Sequence, residues 1–240
     1  MVTLKKEKIL GVGITAGSKE KVLEYIETSL KNKTEKYYIV TPNPELLAIA
    51  HTDARFKAIL NEANIALPDG VGVLVAGKLL GKPFPERITG VDFVDLVCKR
   101  VADLPITTGF LGGGPGVAER TSECLQKKYP GLKIFLAKEE WDESDFNKKM
   151  DILFVAFGSP KQEKWISENI KALPVKVVVG VGGAFDMISG KTVRAPRLIR
   201  NFGLEWLFRL LIQPWRVKRQ TRLLKFSWLI LKELFKSSIA

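Results

Sequence analysis

The chain has 240 residues, 46% of them hydrophobic, which is enough to bury one substantial core and short for two independent catalytic domains. Its formal net charge is +12, and residues 191–240 contain 12 basic and 2 acidic residues, so nearly all of the excess charge lies in a tail suited to a polyanionic or membrane partner. No apolar run approaches the roughly 20 residues that cross a bilayer, and the N-terminus has no secretion signal pattern, so we expect neither a secreted nor an integral membrane protein.

Short β-branched runs alternate with helix-length amphipathic segments along most of the chain. The predicted buried strands, in chain order, are KILGVGIT, KYYIVT, NIAL, ITTGFLGG, LKIFLA, DILFVAF and VKVVVGVGG. Helical segments such as 18–31 and 160–171 separate them. This rhythm predicts an α/β fold with a doubly wound, mostly parallel, Rossmann-like sheet over residues 1–193. Residues 194–240 are predicted to form a helical, basic C-terminal appendage.

Ligands of such sheets bind beyond the carboxyl ends of the strands, so residues that follow a strand are the candidates for chemistry. Thr41 and Asn43 flank the end of the second run, where either side chain could cap a helix that begins at Pro44. Asp69 follows the third run, within PDG. A carboxylate there could act as a general base, but an Asp-Gly turn or a helix N-cap would use the same residue.

The next two loops contain candidates for phosphate binding. Arg87 lies in a proline-constrained loop before a helix whose predicted cap is Thr89, and it is either aimed at a phosphate or simply solvated. Gly112 and Gly114 lie in GGGPG between a strand and a helix, where backbone N–H groups could cradle a diphosphate. The same glycines could merely allow a tight crossing, because their spacing matches neither a P-loop nor the dinucleotide fingerprint.

Two later loops add polar candidates. Gln162 begins a helix after FGSP and could face the ligand, and Asp186 after GVGGAF could hold a sugar hydroxyl or serve a turn. His51, Cys98 and Cys124 lack metal-ligand spacing and are predicted to be structural residues in a reducing cytosol. The sequence also lacks an Asp-x-Asp pair near a strand end, so arginines would have to balance the charge of a diphosphate.

The C-terminal segment has the pattern of an amphipathic basic helix. Phe226 and Trp228 lie on a broad apolar face, and Arg222, Lys225 and Lys232 lie opposite. An ordinary terminal helix docked on the core would fit this pattern. The almost purely basic polar face and the aromatic residues are typical of helices that bind anionic membrane surfaces, which favours membrane-facing roles for all five residues.

Three arginines precede that segment. Arg209, Arg216 and Arg219 lie at intervals of seven and three, so a continuous helix would place them on one side even if Pro214 bends it. They are either a diphosphate clamp or part of a basic surface.

The motifs TPNPELL, LPDGVGV, PERITGVDF, DILFVAFGSPKQEKW and GGAFD, followed by GLEWLFRLL, together resemble the WecG/TagA/CpsF glycosyltransferase family from about residue 8 to 222. The resemblance implies an inverting transfer of N-acetylmannosamine from UDP to N-acetylglucosamine on a polyprenyl diphosphate, in wall teichoic acid or related surface polymer synthesis. Donors such as a mannosaminuronic acid or a hexose are alternatives within the same family. No cofactor and no divalent metal are implied.

The same resemblance implies roles for individual residues. Asp69 matches the proposed general base, Thr41 and Arg87 match active-site positions, and Asn43 and Gln162 lie in the same motifs. The three appendage arginines match residues that complete the site when the tail folds over the sheet. The expected location is the cytoplasmic face of the cell membrane, where the acceptor resides.

Further expectations concern partners and rival functions. A detached tail would uncover apolar surface, so a homo-oligomer is a further expected state. An NAD-dependent oxidoreductase would share the sheet, but it needs the dinucleotide-binding fingerprint, whose glycine spacing this sequence does not match. A nucleic-acid-binding protein would share the basic tail but needs a base-reading module, so no nucleic-acid partner is expected.

Overall fold

The computed structural model describes residues 4–31 and 35–237, apart from the side chains of residues 216, 218–220 and 237. Its strands are β1 (Lys6–Ile9), β2 (Val12–Thr15), β3 (Tyr37–Val40), β4 (Ile65–Ala66), β5 (Thr107–Gly112), β6 (Lys133–Lys138), β7 (Met150–Ala156) and β8 (Val175–Gly180). Its α-helices are α1 (Lys19–Lys31), α2 (Pro44–Thr52), α3 (Ala54–Glu62), α4 (Val71–Leu79), α5 (Gly90–Val101), α6 (Val117–Lys128), α7 (Lys161–Asn169), α8 (Ala184–Ile188), α9 (Arg197–Asn201), α10 (Glu205–Ile212) and α11 (Val217–Ser237). Short 3₁₀ helices lie at Glu143–Asn147 and Pro214–Arg216.

A parallel sheet of six strands forms the centre of the fold, in the order β4-β3-β8-β7-β5-β6. Successive residues of a strand point to opposite faces, and here both faces are buried. Tyr38 and Val40 of β3 pack in one core cluster with α2, α3 and α7, whereas Tyr37 and Ile39 pack in a second cluster with α1, α5 and α6. The predicted doubly wound α/β fold is confirmed.

The first predicted strand is wrong, because KILGVGIT forms a separate antiparallel hairpin of β1 and β2. Leu10 and Gly11 are the two turn residues and both have positive φ, 51° and 82°, which is the signature of a tight type I′ turn. The hairpin lies beside the edge strand β4, where the Ala66 N–H donates to Thr15 Oγ1 at 3.0 Å. The hairpin thereby covers an edge that would otherwise expose backbone groups.

Between Arg197 and Ser237 the appendage is helical, as predicted, but it is not one continuous helix. Helix α10 ends at Ile212, Pro214 begins a 3₁₀ turn, and α11 starts at Val217. A proline removes a backbone donor and disfavours the helical conformation of the residue before it, so a break at this position is expected. The prediction that a single helix carries Arg209, Arg216 and Arg219 is therefore wrong.

Helix α11 has two apolar stripes on different faces. Phe226, Leu229 and Ile230 are 5%, 4% and 3% exposed and join the core cluster that also contains α2. The prediction that Phe226 faces a membrane is wrong, because its ring fills the contact between α11 and the core. The outer stripe of α11 is exposed and consists of Leu224, Trp228, Leu231 and Phe235.

We expect Phe226→Ala to weaken the attachment of α11 to the core by about 3 kcal/mol, because the change leaves a cavity under the helix. The measurement is hydrogen exchange of the α11 amides, which should exchange faster in the variant. Phe235→Ala is the matched control and should leave α11 exchange unchanged, since Phe235 is 68% exposed. Equal protection in both variants would contradict the docked position of α11.

Candidate active site

A cleft of about 1500 Å³ opens at the carboxyl ends of the strands and is closed on its other side by α10 and α11. It gathers most of the predicted site residues from distant parts of the chain. Those that line it are Thr41, Asn43, Asp69, Arg87, Gly112, Gly114, Asp186 and Arg209. The topology explains this grouping, because parallel strands direct all their following loops to one edge of the sheet.

Asp69 is held in the cleft wall by backbone hydrogen bonds between its loop and the segment that ends β3. The Leu67 N–H donates to the Val40 carbonyl at 2.8 Å, and the Asp69 N–H donates to the Pro42 carbonyl at 3.0 Å. Gly70 follows with a φ of 97°, which turns the chain into α4. The N-cap of α4 is Gly70 and no side chain caps the helix, so the alternative that Asp69 is an N-cap is wrong.

The pKa of Asp69 is raised from 3.8 to about 7. Removal of the carboxyl from water is the main cause, and the negative charge of Glu205 adds to it. Arg87 and Arg209 act in the opposite direction, and the more remote Asp92 raises the pKa further. A carboxylate with a pKa near neutrality can accept a proton from a hydroxyl much more readily than an ordinary aspartate.

Glu205 is a site residue that the sequence reasoning missed. It begins α10 and brings a second carboxylate into the cleft, with its Oε2 3.8 Å from Arg87 Nη2 and its Oε1 4.0 Å from Arg194 Nε. The Arg194 Nη2 in turn donates to Asp92 Oδ1 at 2.7 Å. The only sequence signal was that Glu205 is one of two acidic residues in a strongly basic segment.

These ion pairs join the appendage to the core. Asp92 lies in the first turn of α5, which Thr89 caps as predicted, and the Thr89 hydroxyl donates to Asp92 Oδ2 at 2.7 Å. Arg200 of α9 also approaches Asp92, at 3.9 Å. Because these groups are partly buried, their attraction is screened less than that of surface pairs. Ion pairs between side chains of alternating charge thus connect the appendage to the core beside the cleft.

Thr41 and Asn43 both have structural roles beside the cleft. The Thr41 hydroxyl donates to the Gly180 carbonyl at 3.2 Å and ties the end of β3 to the end of β8. Asn43 caps α2, with its Oδ1 accepting from the Leu46 N–H at 3.0 Å. Of the two alternatives for the cap, Asn43 is therefore the one observed.

The glycine loop, residues 112–116, makes a tight crossing from β5 to α6, and three of its glycines also line the cleft. Gly112 and Gly114 have φ values of 105° and 86°, and a β-carbon at Gly112 would lie 2.8 Å from the carbonyl carbon of Ala156. The Gly113 N–H is engaged with the Ala156 carbonyl at 3.0 Å. The crossing alternative therefore explains the glycines of this turn, and contact with a diphosphate stays a prediction.

Lys191 is a second residue that the sequence reasoning missed. Its Nζ donates to the Gly113 carbonyl at 3.2 Å and lies 3.6 Å from Asp186 Oδ1. Arg209 approaches the loop between β8 and α8, just before Asp186, since a β-carbon at Gly183 would lie 3.3 Å from the Arg209 Nη2. The glycine loop and Asp186 therefore share one corner of the cleft with two cationic side chains.

The structure corrects the prediction for Gln162, whose side chain is fully buried and does not line the cleft. Its Oε1 accepts from the Gly182 N–H at 2.9 Å, and its Nε2 donates to Glu163 Oε1 at 2.8 Å. Gln162 instead fixes the loop that follows β8. A buried amide with several polar partners of this kind determines loop shape.

The basic residues predicted to act in the tail lie in different surroundings. The side chains of Arg216 and Arg219 lie outside the described residues. Arg222 forms an ion pair with Glu45 at the cleft rim, so it helps to hold α11 against α2. Lys225 is exposed, and the Lys232 ammonium lies 5.2 Å from the centre of the Trp228 ring.

Across the described ranges, histidine, cysteine, aspartate and glutamate side chains nowhere form a group of three or more that could hold a metal ion. Among the same residues, no helix combines the length and the apolar character needed to cross a bilayer.

Comparison with known proteins gives a consistent result. A family model described as "Glycosyl transferase WecG/TagA/CpsF family" matches residues 7–240. The chain is 34% identical over 217 residues to an N-acetylglucosaminyldiphosphoundecaprenol N-acetyl-beta-D-mannosaminyltransferase of Bacillus spizizenii strain W23, which covers 88% of this chain and 84% of the relative. Enzymes of the same name from Staphylococcus aureus strains MRSA252 and NCTC 8325 are 32% identical over 238 residues, covering 95% of this chain and 92% of each relative.

We expect Glu205→Gln to lower the pKa of Asp69, because the change removes the negative charge that opposes its ionisation and leaves Arg87 free to act on it. The deprotonated fraction of Asp69 at pH 6 should therefore rise. The measurement is an NMR titration of carboxyl-labelled aspartate in both proteins.

Glu140→Gln is the matched control, since it removes an exposed carboxylate that also lines the cleft and is not among the charges that shift the pKa of Asp69. The assignment of Glu205 as a neighbour of Asp69 is contradicted if both variants move the titration equally, or if neither does.

Proposed function

The chain belongs to the WecG/TagA/CpsF glycosyltransferase family, and from that premise we propose that it transfers N-acetylmannosamine from UDP to N-acetylglucosamine linked to a polyprenyl diphosphate. The family establishes a glycosyltransferase. The donor sugar and the acceptor follow the names of the relatives that are 32–34% identical. Family membership also favours this activity over an oxidoreductase or a nucleic-acid-binding protein. Such a transfer belongs to the synthesis of wall teichoic acid or a related surface polymer.

The observation that carries the mechanism is Asp69, a carboxylate with a pKa of about 7 in a cleft lined by arginines. In the proposed reaction the Asp69 carboxylate accepts the proton of the acceptor hydroxyl. The hydroxyl oxygen forms a bond to the anomeric carbon as the bond from that carbon to the UDP oxygen breaks. Attack on the face opposite UDP inverts the configuration, which turns an α-linked donor into the β-linkage that the names of the relatives specify.

The departing UDP takes the electron pair of the broken bond and needs positive charge close to its diphosphate. Arg87, Arg209 and Lys191 line the cleft and are placed to supply that charge. Guanidinium groups bind phosphate oxygens in a bidentate manner, so they support the proposal of a reaction without a divalent metal. Asn43 and Asp186 are proposed to hold sugar or ribose hydroxyls, with Gly112 and Gly114 beside the diphosphate.

The outer stripe of α11 is proposed to bind an anionic membrane surface, which places the chain peripherally at the cytoplasmic face, where a prenyl-linked acceptor is found. Trp228 is 58% and Phe235 is 68% exposed, although both are large apolar side chains. Lys225 and Lys232 flank this stripe, and each such cation contributes about 1 kcal/mol near an anionic leaflet. Together these features support reversible binding at the membrane surface.

We expect the chain to release UDP and form a disaccharide product from UDP-N-acetylmannosamine and a short-chain lipid-diphosphate N-acetylglucosamine, with EDTA present. Asp69→Asn should lower the rate by roughly 10²-fold or more, because the general base is lost. In the wild type, kcat/KM should fall as the pH drops below about 7, where Asp69 becomes protonated.

Asp103→Asn is the matched control, because Asp103 is exposed and lies outside the cleft. An active Asp69→Asn would remove the proposed base. A folded wild type that forms no product would refute the proposed donor or acceptor, and loss of activity in EDTA would refute metal independence.

We expect co-sedimentation with phosphatidylglycerol vesicles and little with phosphatidylcholine vesicles, with binding that weakens as salt rises. Phe235→Ser should lower the partition coefficient about tenfold, because a buried aromatic side chain is worth roughly 1.5–3 kcal/mol. Phe135→Ser is the control, since Phe135 is an exposed phenylalanine on β6. Equal loss in both variants would refute a specific role of the outer stripe.

A further inference from the structure

The cleft extends past Asp69 along one side of α4. The residues of α4 that line it are all apolar or glycine: Val71, Gly72, Val75, Ala76 and Leu79. Val71, Val75 and Leu79 recur every fourth residue, so they share one face of the helix. Val75 and Leu79 are 51% and 53% exposed, which is high for large aliphatic side chains that line a cavity.

Helix α11 provides the opposite wall of the same cavity. Its lining residues are also apolar, with one serine: Val217, Leu223, Leu224, Phe226, Ser227, Ile230 and Leu231. The Ser227 hydroxyl donates to the Leu223 carbonyl at 3.1 Å, so the helix backbone already satisfies it. We call the space between these two walls the apolar groove, and its sides offer aliphatic surface rather than polar partners for a ligand.

The apolar groove is continuous with the charged part of the cleft. Asp69 lies two residues before Val71, and Arg87 and Arg209 line the same cavity. From Val71 to Leu79 the groove follows α4 for about 12 Å. A ligand that matches both parts has a charged head followed directly by an aliphatic chain.

We infer that the apolar groove binds the first isoprene units of the prenyl-diphosphate acceptor while the acceptor's diphosphate and sugar reach the charged part of the cleft. This inference rests on the proposed function, which supplies an acceptor of that chemistry. It adds that the protein itself recognises the prenyl chain. The prenyl chain therefore leaves the bilayer and enters the space between α4 and α11, rather than staying wholly among the lipids.

The test is calorimetric binding of farnesyl diphosphate and methyl diphosphate in buffer without detergent or vesicles, so that no membrane takes part. We expect the farnesyl compound to bind at least about tenfold more tightly, because each methylene removed from water adds about 0.8 kcal/mol. Leu79→Asn should abolish most of this preference and leave the affinity for methyl diphosphate unchanged. Val75→Asn, on the same face, should act in the same direction.

Leu104→Asn is the matched control, because Leu104 is a partly exposed leucine outside the cleft, and it should retain the preference. Equal affinity of the wild type for both diphosphates would overturn the inference. So would a preference that persists in Leu79→Asn, or an equal loss for both ligands in that variant. A shift of Leu79→Asn from dimer to monomer with unchanged farnesyl binding would show instead that a second copy covers the groove. Thermal unfolding checks that each variant is folded.

Turnover separates this inference from the proposed reaction. If N-acetylglucosamine carried on farnesyl diphosphate and on methyl diphosphate is consumed with equal KM, the reaction stands and the groove is refuted. If neither is consumed while the farnesyl preference and its loss in Leu79→Asn are observed, the groove stands and the proposed transfer is refuted.

Discussion

The cleft depends on a chain of ion pairs that crosses from the core to the appendage. Asp92 of α5 pairs with Arg194, Arg194 approaches Glu205, and Glu205 approaches Arg87. Beyond these contacts, the helices after α8 are held over the sheet by the apolar packing of α11 and by the ion pair of Arg222 with Glu45. Burial is the main cause of the raised pKa of Asp69, and three members of the ion-pair chain, Glu205, Arg87 and Asp92, shift that pKa further. Some of the charges that attach the appendage therefore also tune the proposed base.

Helix α11 has two roles. It packs against the core of the protein, and it presents an exposed apolar stripe on its outer side. Its buried stripe through Phe226 and Ile230 anchors it, while the outer stripe through Trp228 and Phe235 stays exposed. A helix with a single apolar face could serve only one of these purposes. Leu224 and Leu231 of the outer stripe also line the apolar groove, so the surface proposed to touch the membrane borders the cleft directly.

Much of this architecture follows from the sequence. The parallel sheet, the order of its strands along the chain and the cap Thr89 follow from periodicity and from turn and capping residues. Asn43 was one of two candidate caps, and Arg87 was grouped with Asp69 only through the family resemblance. The hairpin was missed because Leu10 adopts the positive φ that turn statistics assign to glycine or asparagine. The sequence predicts a single broad apolar face for α11, because helical periodicity does not show which part of that face packs against the core. Glu205, Lys191 and the burial of Gln162 depend on contacts between elements far apart in the chain, which local patterns do not encode.

One core cluster contains both the N-terminal hairpin, through Ile9 and Ile14, and the docked stripe of α11, through Phe226 and Ile230. The first and last elements of the fold therefore contribute to the same interior, although they lie at opposite ends of the described chain. A nascent polypeptide that is still attached to the ribosome cannot close this interior until α11 has emerged. The parallel sheet could begin to form earlier, but a finished cleft with a tuned aspartate is a product of the last stage of folding. A chain that ends before α10 would thus lack Glu205, Arg209 and one wall of the cleft.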